Sequence, residues 1–462
     1  MRWRTWTTPR SSRLALALMA LGAALWGVCG CTQRPKGTRV VLITLDTLRF
    51  DDFMGDGSAP SNMPRTRAFV ERGALFEHSF AASSTTQPSH ASLLTGLHPW
   101  EHGLTRNGEV LEERFETAAE LLCAAGFSTR AVVSSFPLER RFGFDQGFAS
   151  FEDRFEASIG HEQWMGQSLR DQAFYSYASR TTERALALLD SDPAERQFLW
   201  LHYFDPHDPY GDCHVPLGEP APPNELQNVL ALREAAAQRD PGLARKLEQA
   251  REGYARDLAF LDAALAPLFE RLAADERRFT THVVITADHG ESFGEDGSIG
   301  HGRRLTWPQL HVPLSIVSPR VPSGPRQDAA GSVDVFATLL DLAGIPPPPG
   351  HGRSLVKSSG VGSACGMRQT FAAPAYDQRI DGTRREISSP AYFTFHGGRL
   401  VTGTPDGTLF ASPGGPIEDR ALAAQLQGLF AGFEARRTEH STPRALQDEE
   451  TANALRALGY TR

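Results

Sequence analysis

Cysteine is scarce in this chain, and its scarcity limits the kinds of site that the chain can contain. Only five of the 462 residues are cysteines, and two of them lie within the first 31 residues. The other three are Cys123, Cys213 and Cys365, and an odd number so widely spaced predicts neither a disulfide framework nor a zinc cluster. Any catalytic metal must therefore be held by oxygen and nitrogen ligands.

The chain also lacks a basic cluster and a long hydrophobic run. With a net charge of −8 and no group of arginine and lysine interleaved with aromatic residues, it is not expected to bind nucleic acid. The apolar run at 14–28 would rise only about 22 Å as a helix, which is too short to cross a bilayer comfortably.

That run instead belongs to a pattern typical of an export signal. Arginines without any acidic residue precede it, and it ends in Val28-Cys29-Gly30-Cys31, which resembles a bacterial lipobox. We expect residues 1–31 to be a signal peptide with Cys31 as the lipidation site. The protein would then be exported to the cell envelope, either anchored to the membrane by lipid or periplasmic. A plain cleaved signal and an uncleaved short anchor are the alternatives.

Apolar runs and helical segments alternate along the rest of the chain. This alternation predicts a doubly wound α/β fold, with a mostly parallel central sheet flanked by helices. The composition changes after 346–350, so we predict a main domain over 38–350 and a small C-terminal α+β subdomain with a tail over 351–462. The predicted strands are 40–45, 131–133, 198–204, 283–286, 312–317, 391–400 and 409–410, and the predicted helices are 117–125, 180–189, 224–273 with a break near Asp240, and 421–433.

Three of the predicted strands end in residues that can bind a metal. Asp46 follows the first, 205–208 (DPHD) follows another, and 288–291 (DHGE) follows a third. Ligands of open parallel sheets bind at the carboxyl ends of the strands, so these residues are expected to meet. One aspartate after a strand is more often a helix cap or a loop ion pair, but three such ends favour a site for Ca, Mg, Mn or Zn.

A hydroxyl-rich segment, 83–96, lies between the first two strand ends. It places Thr86 near a helix N-terminus, where backbone N–H groups and the helix dipole favour an anion. A threonine hydroxyl is a poor nucleophile until a metal or a base helps to remove its proton. Taken alone, the segment favours a simple Ser/Thr helix cap.

Segments 41–49 (VLITLDTLR), 86–96 (TQPSHASLLTG) and 286–291 (TADHGE) closely resemble the sulfatase family of the alkaline phosphatase superfamily, in the family's order and spacing. The resemblance implies one divalent cation (Ca, Mg, Mn or Zn), held by Asp46, Thr86, Asp288 and His289. It also implies that Thr86 is the nucleophile. Two further roles are implied as well: His207 and His301 as catalytic residues that contact the anion or protonate the leaving group, and His90 and Ser89 as substrate-binding residues.

The chain departs from the family pattern at several positions. Sulfatases carry Cys or Ser at the position of Thr86, oxidised to formylglycine, and Arg at the position of His90. Thr47 replaces the second residue of an Asp-Asp pair, and 134–144 lies where the family has Gly-Lys-x-His-Leu-Gly.

These features together predict a metal-dependent hydrolase of sulfate or phosphate esters, acting on an anionic ester substrate. The alternatives are a phosphodiesterase or phospho-group transferase of the same superfamily, and a non-catalytic surface lipoprotein that binds an anion or glycan.

Overall fold

The computed structural model describes residues 36–55, 60–157, 173–211 and 229–357 without interruption, and shorter stretches between 365 and 455. The described strands are β1 (Gly37–Leu45), β2 (Ala74–Phe80), β3 (Ser128–Val132), β4 (Ser150–Glu152), β5 (Arg196–Tyr203), β6 (Phe279–Ala287), β7 (Ser292–Phe293), β8 (Ile299–Gly300), β9 (Leu314–Val317), β10 (Gly324–Gly331), β11 (Cys365–Met367), β12 (Tyr376–Gln378), β13 (Arg384–Glu386), β14 (Tyr392–His396), β15 (Arg399–Gly403), β16 (Phe410–Ser412) and β17 (Gly415–Pro416).

The described α-helices are α1 (Phe50–Met54), α2 (Pro64–Val70), α3 (Thr86–Thr95), α4 (Pro99–His102), α5 (Ala118–Ala124), α6 (Ala178–Ser191), α7 (Val229–Ala237), α8 (Leu243–Ala274), α9 (Trp307–Leu310), α10 (Ser332–Leu342) and α11 (Arg420–Glu439), and single 3₁₀ turns occupy Phe136–Leu138, Arg140–Phe142 and Asp275–Arg277.

Eight strands form the central sheet, in the order β10-β2-β9-β6-β1-β5-β3-β4. β1 lies inside the sheet and pairs in parallel with β5 and with β6. In this sheet β9 runs antiparallel to both of its neighbours. The prediction of a mostly parallel sheet is therefore confirmed.

Alternate side chains of β1 enter two separate hydrophobic cores, one on each face of the sheet. Val40 and Leu42 belong to the first core, and Val41, Ile43 and Leu45 belong to the second. A strand buried on both faces needs a continuous apolar sequence, and for this reason β1 could be predicted from the sequence. The two cores and the helices that cover them confirm the doubly wound α/β class.

Strand register brings the carboxyl ends of three strands together. Leu45, the last residue of β1, pairs with Tyr203 of β5 on one side and with Ala287 of β6 on the other. The residues that follow these strands therefore leave the sheet at the same edge, where the sequence predicted a site.

The C-terminal region contains a separate antiparallel sheet of five strands, in the order β11-β14-β15-β16-β17, and helix α11. Aromatic contacts fix this region to the main sheet: Phe433 stacks on Trp100 with ring centroids 4.0 Å apart, and Phe395 lies 4.7 Å from Phe80. The small C-terminal α+β region is thus confirmed, whereas the boundaries at 38, 350 and 351 stay predictions.

Among the described residues, none of the helices combines the length and the apolar character needed to cross a bilayer. The predicted signal peptide, including Cys31, lies outside the described residues. Its cleavage and lipidation therefore stay predictions.

Candidate active site

Asp46, Asp288 and His289 form a buried cluster at the carboxyl edge of the sheet. One potential ligand atom from each lies within 4.8 Å of the others. Nε2 of His289 is 3.8 Å from Oδ1 of Asp46 and 3.5 Å from Oδ2 of Asp288. Ligand atoms bound to one ion at about 2.0–2.2 Å lie roughly 3–3.5 Å from each other, so these side chains are spaced almost as ligands of a single cation would be.

The hydrogen bonding of the two carboxylates also fits a cation. Within the described residues, neither oxygen of Asp46 nor Oδ2 of Asp288 has a hydrogen-bond partner, although both side chains are fully buried. Burial and the neighbouring charge of Asp46 raise the pKa of Asp288 well above its ordinary value. Burial also disfavours the ionised form of Asp46, but the nearby His202, His207 and His289 outweigh it, and its pKa lies below the ordinary value. A divalent cation would supply the charge that this buried pair needs.

Thr86 is the first residue of α3 and its hydroxyl faces the same cluster. Its Oγ1 lies 3.4 Å from Nε2 of His289, and the residue is fully buried. The preceding residue, Thr85, is the extended N-cap residue of α3. The N–H of Gln87 donates to Oδ1 of Asn107, Pro88 has no N–H, and the N–H of Ser89 donates to the carbonyl oxygen of Thr85. Thr86 therefore lies at the N-terminus of α3 beside the three potential metal ligands.

Ser89 and His90 lie one turn further along α3, where they bond to protein groups. The Ser89 hydroxyl donates to the carbonyl oxygen of Asp288 at 2.6 Å. Nδ1 of His90 lies 2.9 Å from the carbonyl oxygen of Thr86, and its Nε2 lies 3.1 Å from Oγ1 of Thr44. Burial and the charge of His202 lower the pKa of His90 well below its ordinary value. Their predicted contact with substrate stays a prediction.

His207 and His301 lie next to each other and beside His289 of the cluster. Their ring centroids are 4.9 Å apart, and the His301 ring is 4.4 Å from that of His289. The structure therefore brings both predicted catalytic histidines to the metal-binding residues, although they are 94 residues apart in the chain.

The two histidines differ in their electrostatic surroundings. Burial disfavours the charged form of His207, but the carboxylates of Asp208 and Asp46 outweigh it and raise its pKa. Burial and the charge of His207 lower the pKa of His301 to about 3. Nδ1 of His301 is 3.0 Å from Oε2 of Glu291, which orients the ring.

Thr47 has an unusual backbone. Its φ is +54°, in the left-handed region that β-branched residues rarely adopt. Its N–H donates to Oδ1 of Asp288 at 3.3 Å, while its buried Oγ1 has no hydrogen-bond partner among the described residues. The residue at the position of the second family aspartate therefore adjoins the cluster without adding a carboxylate.

His202 is a site residue that sequence reasoning missed. It lies within β5, fully buried, with Nε2 3.5 Å from Oδ2 of Asp46 and 3.0 Å from Oγ of Ser135. Ser135 belongs to the segment that stands in place of the family's Lys-containing motif. The available signal was a histidine at the end of an apolar run, one residue before the last residue of β5.

Comparisons with known proteins identify the family to which the chain is similar. Residues 38–345, more than half of the chain, match the sequence profile of the sulfatase family. A choline-sulfatase from Rhizobium meliloti is 21% identical over 359 residues, which cover 66% of this chain and 67% of that protein. An extracellular sulfatase SULF-1 homologue from Drosophila melanogaster is 22% identical over 371 residues, which cover 70% of this chain and 31% of the relative.

A phosphonate monoester hydrolase from Silicibacter pomeroyi has a similar solved structure. The TM-score is 0.63 at 19% identity, and the match covers 88% of this chain and 96% of that one. At this identity the likeness shows the fold alone. The match of the family profile over 38–345 shows that the chain belongs to the sulfatase family.

Proposed function

We propose that this chain is a metal-dependent hydrolase of sulfate or phosphate esters that uses Thr86 as its nucleophile. The observation that carries the proposal is the position of the Thr86 hydroxyl, buried at the first residue of α3 and 3.4 Å from Nε2 of His289. Asp46, Asp288 and His289, with Thr86, would hold one divalent cation. When bound, that cation would lower the pKa of a coordinated hydroxyl and offset charge on the ester oxygens.

The protein residues can then divide the reaction between them. After losing its proton to solvent, Oγ1 of Thr86 bonds to the sulfur or phosphorus atom, and the bond from that atom to the alcohol oxygen breaks. His207, whose pKa is raised, can protonate the departing oxygen. His301, whose ring is oriented by Glu291 and lies beside His289, can contact the bound anion. The positive end of the α3 helix dipole can stabilise the charge on the non-bridging oxygens.

The identity of residue 86 as threonine affects which class of ester the site can hydrolyse. Oxidation of a primary alcohol or a thiol at this position gives an aldehyde, whereas oxidation of the secondary alcohol of Thr86 would give a ketone. The formylglycine route is therefore closed, and a covalent ester of Thr86 itself is the remaining route. Because one relative is named for a sulfate ester and a similar structure for phosphonate monoesters, both classes belong in the assay.

The test is a panel of an aryl sulfate, an aryl phosphate and a bis-aryl phosphodiester, assayed with added Mn, Ca or Zn. We expect Thr86→Ala to lower turnover by at least about 10³-fold on whichever ester the wild type hydrolyses. The control is Thr95→Ala, which removes a buried hydroxyl at the far end of the same helix, where it bonds to the carbonyl of Ala91. Equal activity of wild type and Thr86→Ala on all three esters would refute the assignment.

The same panel separates the alternatives. A transferase would release the aryl alcohol only when an acceptor alcohol is added. A non-catalytic binding protein would hydrolyse none of the esters and need not retain stoichiometric metal after dialysis.

We also propose export to the cell envelope with lipidation at Cys31, which rests on the sequence pattern of residues 1–31. Metabolic labelling with a fatty acid, lost in Cys31→Ser, is the corresponding test.

A further inference from the structure

The side chain of Tyr254, in helix α8, contacts the segments that follow all three of the strands that lead into the site. It is fully buried. Its hydroxyl donates to the carbonyl oxygen of Thr47 at 2.9 Å and accepts from the N–H of Arg49 at 3.1 Å, both in the turn after β1. The centroid of its ring lies 6.2 Å from that of Tyr210, after β5, and 5.2 Å from that of Phe293, after β6. No step of the proposed reaction uses Tyr254.

The turn after β1 depends on bonds from outside it. Thr47 has a φ of +54°, a conformation in which a β-branched side chain is crowded and which persists only where the surrounding structure holds it. The structure holds this residue on both sides: its N–H donates to Oδ1 of Asp288 at 3.3 Å, and its carbonyl oxygen accepts from Tyr254. Because Asp46 directly precedes Thr47, the direction in which the Asp46 side chain leaves the sheet depends on this turn.

The hydrogen bonds of Tyr254 have only one possible direction. A carbonyl oxygen only accepts and a backbone N–H only donates, so the hydroxyl hydrogen points at Thr47 and the hydroxyl oxygen faces the N–H of Arg49. Burial raises the pKa of Tyr254 well above its ordinary value, so the hydroxyl keeps this hydrogen. A phenylalanine at this position would preserve the ring but leave a buried carbonyl and a buried N–H without this partner.

Helix α8 is itself fixed to the segment after β5 by residues on either side of Tyr254. A Cβ added at Gly253 would lie 3.0 Å from the backbone carbonyl carbon of Tyr210, so the close approach of the helix requires glycine there. One turn further along, Asp257 accepts from the N–H of Gly211 at 2.5 Å. The position of the Tyr254 hydroxyl is therefore set by the helix and not by the turn that it contacts.

We propose that Tyr254 is a positioning residue that holds the turn after β1 in the conformation in which Asp46 and Asp288 can bind one cation. The inference rests on the proposed function, because it requires that both aspartates are metal ligands. Without the hydroxyl, Thr47 can relax towards negative φ, which displaces its N–H relative to Asp288 and moves Asp46 with it.

The experiment is a double-mutant cycle between residues 254 and 47, measured as the Kd for Mn²⁺ by calorimetry of the full-length protein. Glycine adopts a positive φ without steric cost, so Thr47→Gly makes the turn less dependent on outside support. We expect Tyr254→Phe to weaken Mn²⁺ binding by about 10-fold when residue 47 is threonine, and by less than about 3-fold when it is glycine. Both proteins in each comparison share residue 47, so any direct effect of the threonine side chain cancels.

The matched control is Tyr203→Phe, which removes another fully buried tyrosine hydroxyl from the same hydrophobic core, where it bonds to Thr182 at 2.9 Å. It should leave the Kd for Mn²⁺ unchanged. Thermal melting in EDTA measures the folding of every variant. If Tyr254→Phe weakens Mn²⁺ binding equally with threonine and with glycine at residue 47, or only lowers the melting temperature in EDTA, Tyr254 is a packing residue and the inference is wrong.

These outcomes are separate from those of the ester assay. A wild type that binds Mn²⁺ but hydrolyses none of the esters would refute the proposed function and leave the role of Tyr254 intact. An active enzyme whose Kd for Mn²⁺ is unaffected by Tyr254→Phe would do the reverse.

Discussion

Replacing Asp288 by asparagine should stabilise the metal-free protein while it removes a metal ligand. Oδ1 of Asp288 accepts from the N–H groups of His289 and Thr47, and an asparagine oxygen can keep both bonds. Oδ2 has no hydrogen-bond partner among the described residues, so the charge on it gains little from the surrounding protein. What the substitution removes is mainly the repulsion between Asp288 and Asp46.

The size of that repulsion follows from the separation of the groups. The ligand atoms of the cluster lie within 4.8 Å of one another. At an effective dielectric constant of about 20, two unit charges at that distance repel by about 3 kcal/mol. The unfolding entropy of a protein is about 2.1 cal/mol/K per residue. For a chain of 462 residues, a gain of about 3 kcal/mol in the free energy of unfolding therefore raises Tm by about 3 °C.

The stability difference between wild type and Asp288→Asn should change with pH in a definite direction. Burial and Asp46 raise the pKa of Asp288 above its value in the unfolded chain. The folded protein therefore binds the proton more readily, and wild-type stability falls as the pH rises through the folded pKa. The advantage of Asp288→Asn should consequently be large at pH 8 in EDTA and shrink in acid.

Added metal should reverse the order of the two proteins. Saturation at 1,000 times Kd stabilises a binding-competent protein by about 4.1 kcal/mol, more than the repulsion of about 3 kcal/mol, whereas Asp288→Asn should gain little. Calorimetric melting with EDTA tests the predicted order without metal, and melting with excess Mn²⁺ tests the predicted order with metal. The control is Asp262→Asn: this carboxylate accepts from Thr66 through Oδ1 and from Arg65 N–H through Oδ2, so its loss should destabilise. If Asp288→Asn melts at or below wild type in EDTA, as the control should, the electrostatic argument is wrong.

Two further predictions concern Thr47 and His282. Asp and Asn both tolerate the positive φ of Thr47, so Thr47→Asp and Thr47→Asn should each relieve backbone strain, but only the aspartate should tighten Mn²⁺ binding measured by calorimetry. Equal affinities for the two variants would contradict a cation beside residue 47. Burial lowers the pKa of His282 to about 4, so folding stability should fall by about 3 kcal/mol between pH 7 and pH 4 on account of this group. His282→Asn should flatten that part of the curve of Tm against pH. An unchanged slope would show that His282 is not the cause of the loss of stability.

Sequence patterns predicted the strands that are buried on both faces and missed those with a polar side. β1, β5 and β6 are continuous apolar runs inside the sheet. β10 (GPRQDAAG) lies at one edge and pairs only with β2, so its exposed half needs no apolar residues. β9 is apolar, but its antiparallel direction depends on its partners β2 and β6, which no local pattern specifies.

The meeting of Asp46, Asp288 and His289 was predictable because it follows from one topological rule. Parallel strands present their carboxyl ends at one edge, so Asp46 and the Asp288-His289 pair had to meet once β1 and β6 were recognised as strands. His202 and Thr44 obey no such rule. Each lies within a strand, where a polar residue in an apolar run indicates only that it must find a partner.

The positions at which this chain differs from the family pattern are connected to each other in the structure. Where the family has an arginine, His90 occupies the site and bonds to the Thr86 carbonyl and to Thr44. Where the family has a lysine motif, Ser135 contacts His202 instead. A lysine or arginine would carry a fixed charge towards an anion, whereas His90 bonds to Thr86 and Thr44, and Ser135 bonds to His202, whose Nε2 lies 3.5 Å from Oδ2 of Asp46. In place of side chains with a fixed positive charge, the chain therefore has a buried polar network beside Thr86, the proposed nucleophile, and Asp46, a proposed metal ligand. On the proposed function, we expect selectivity among esters to depend more on the cation, His207 and His301 than on this side of the site.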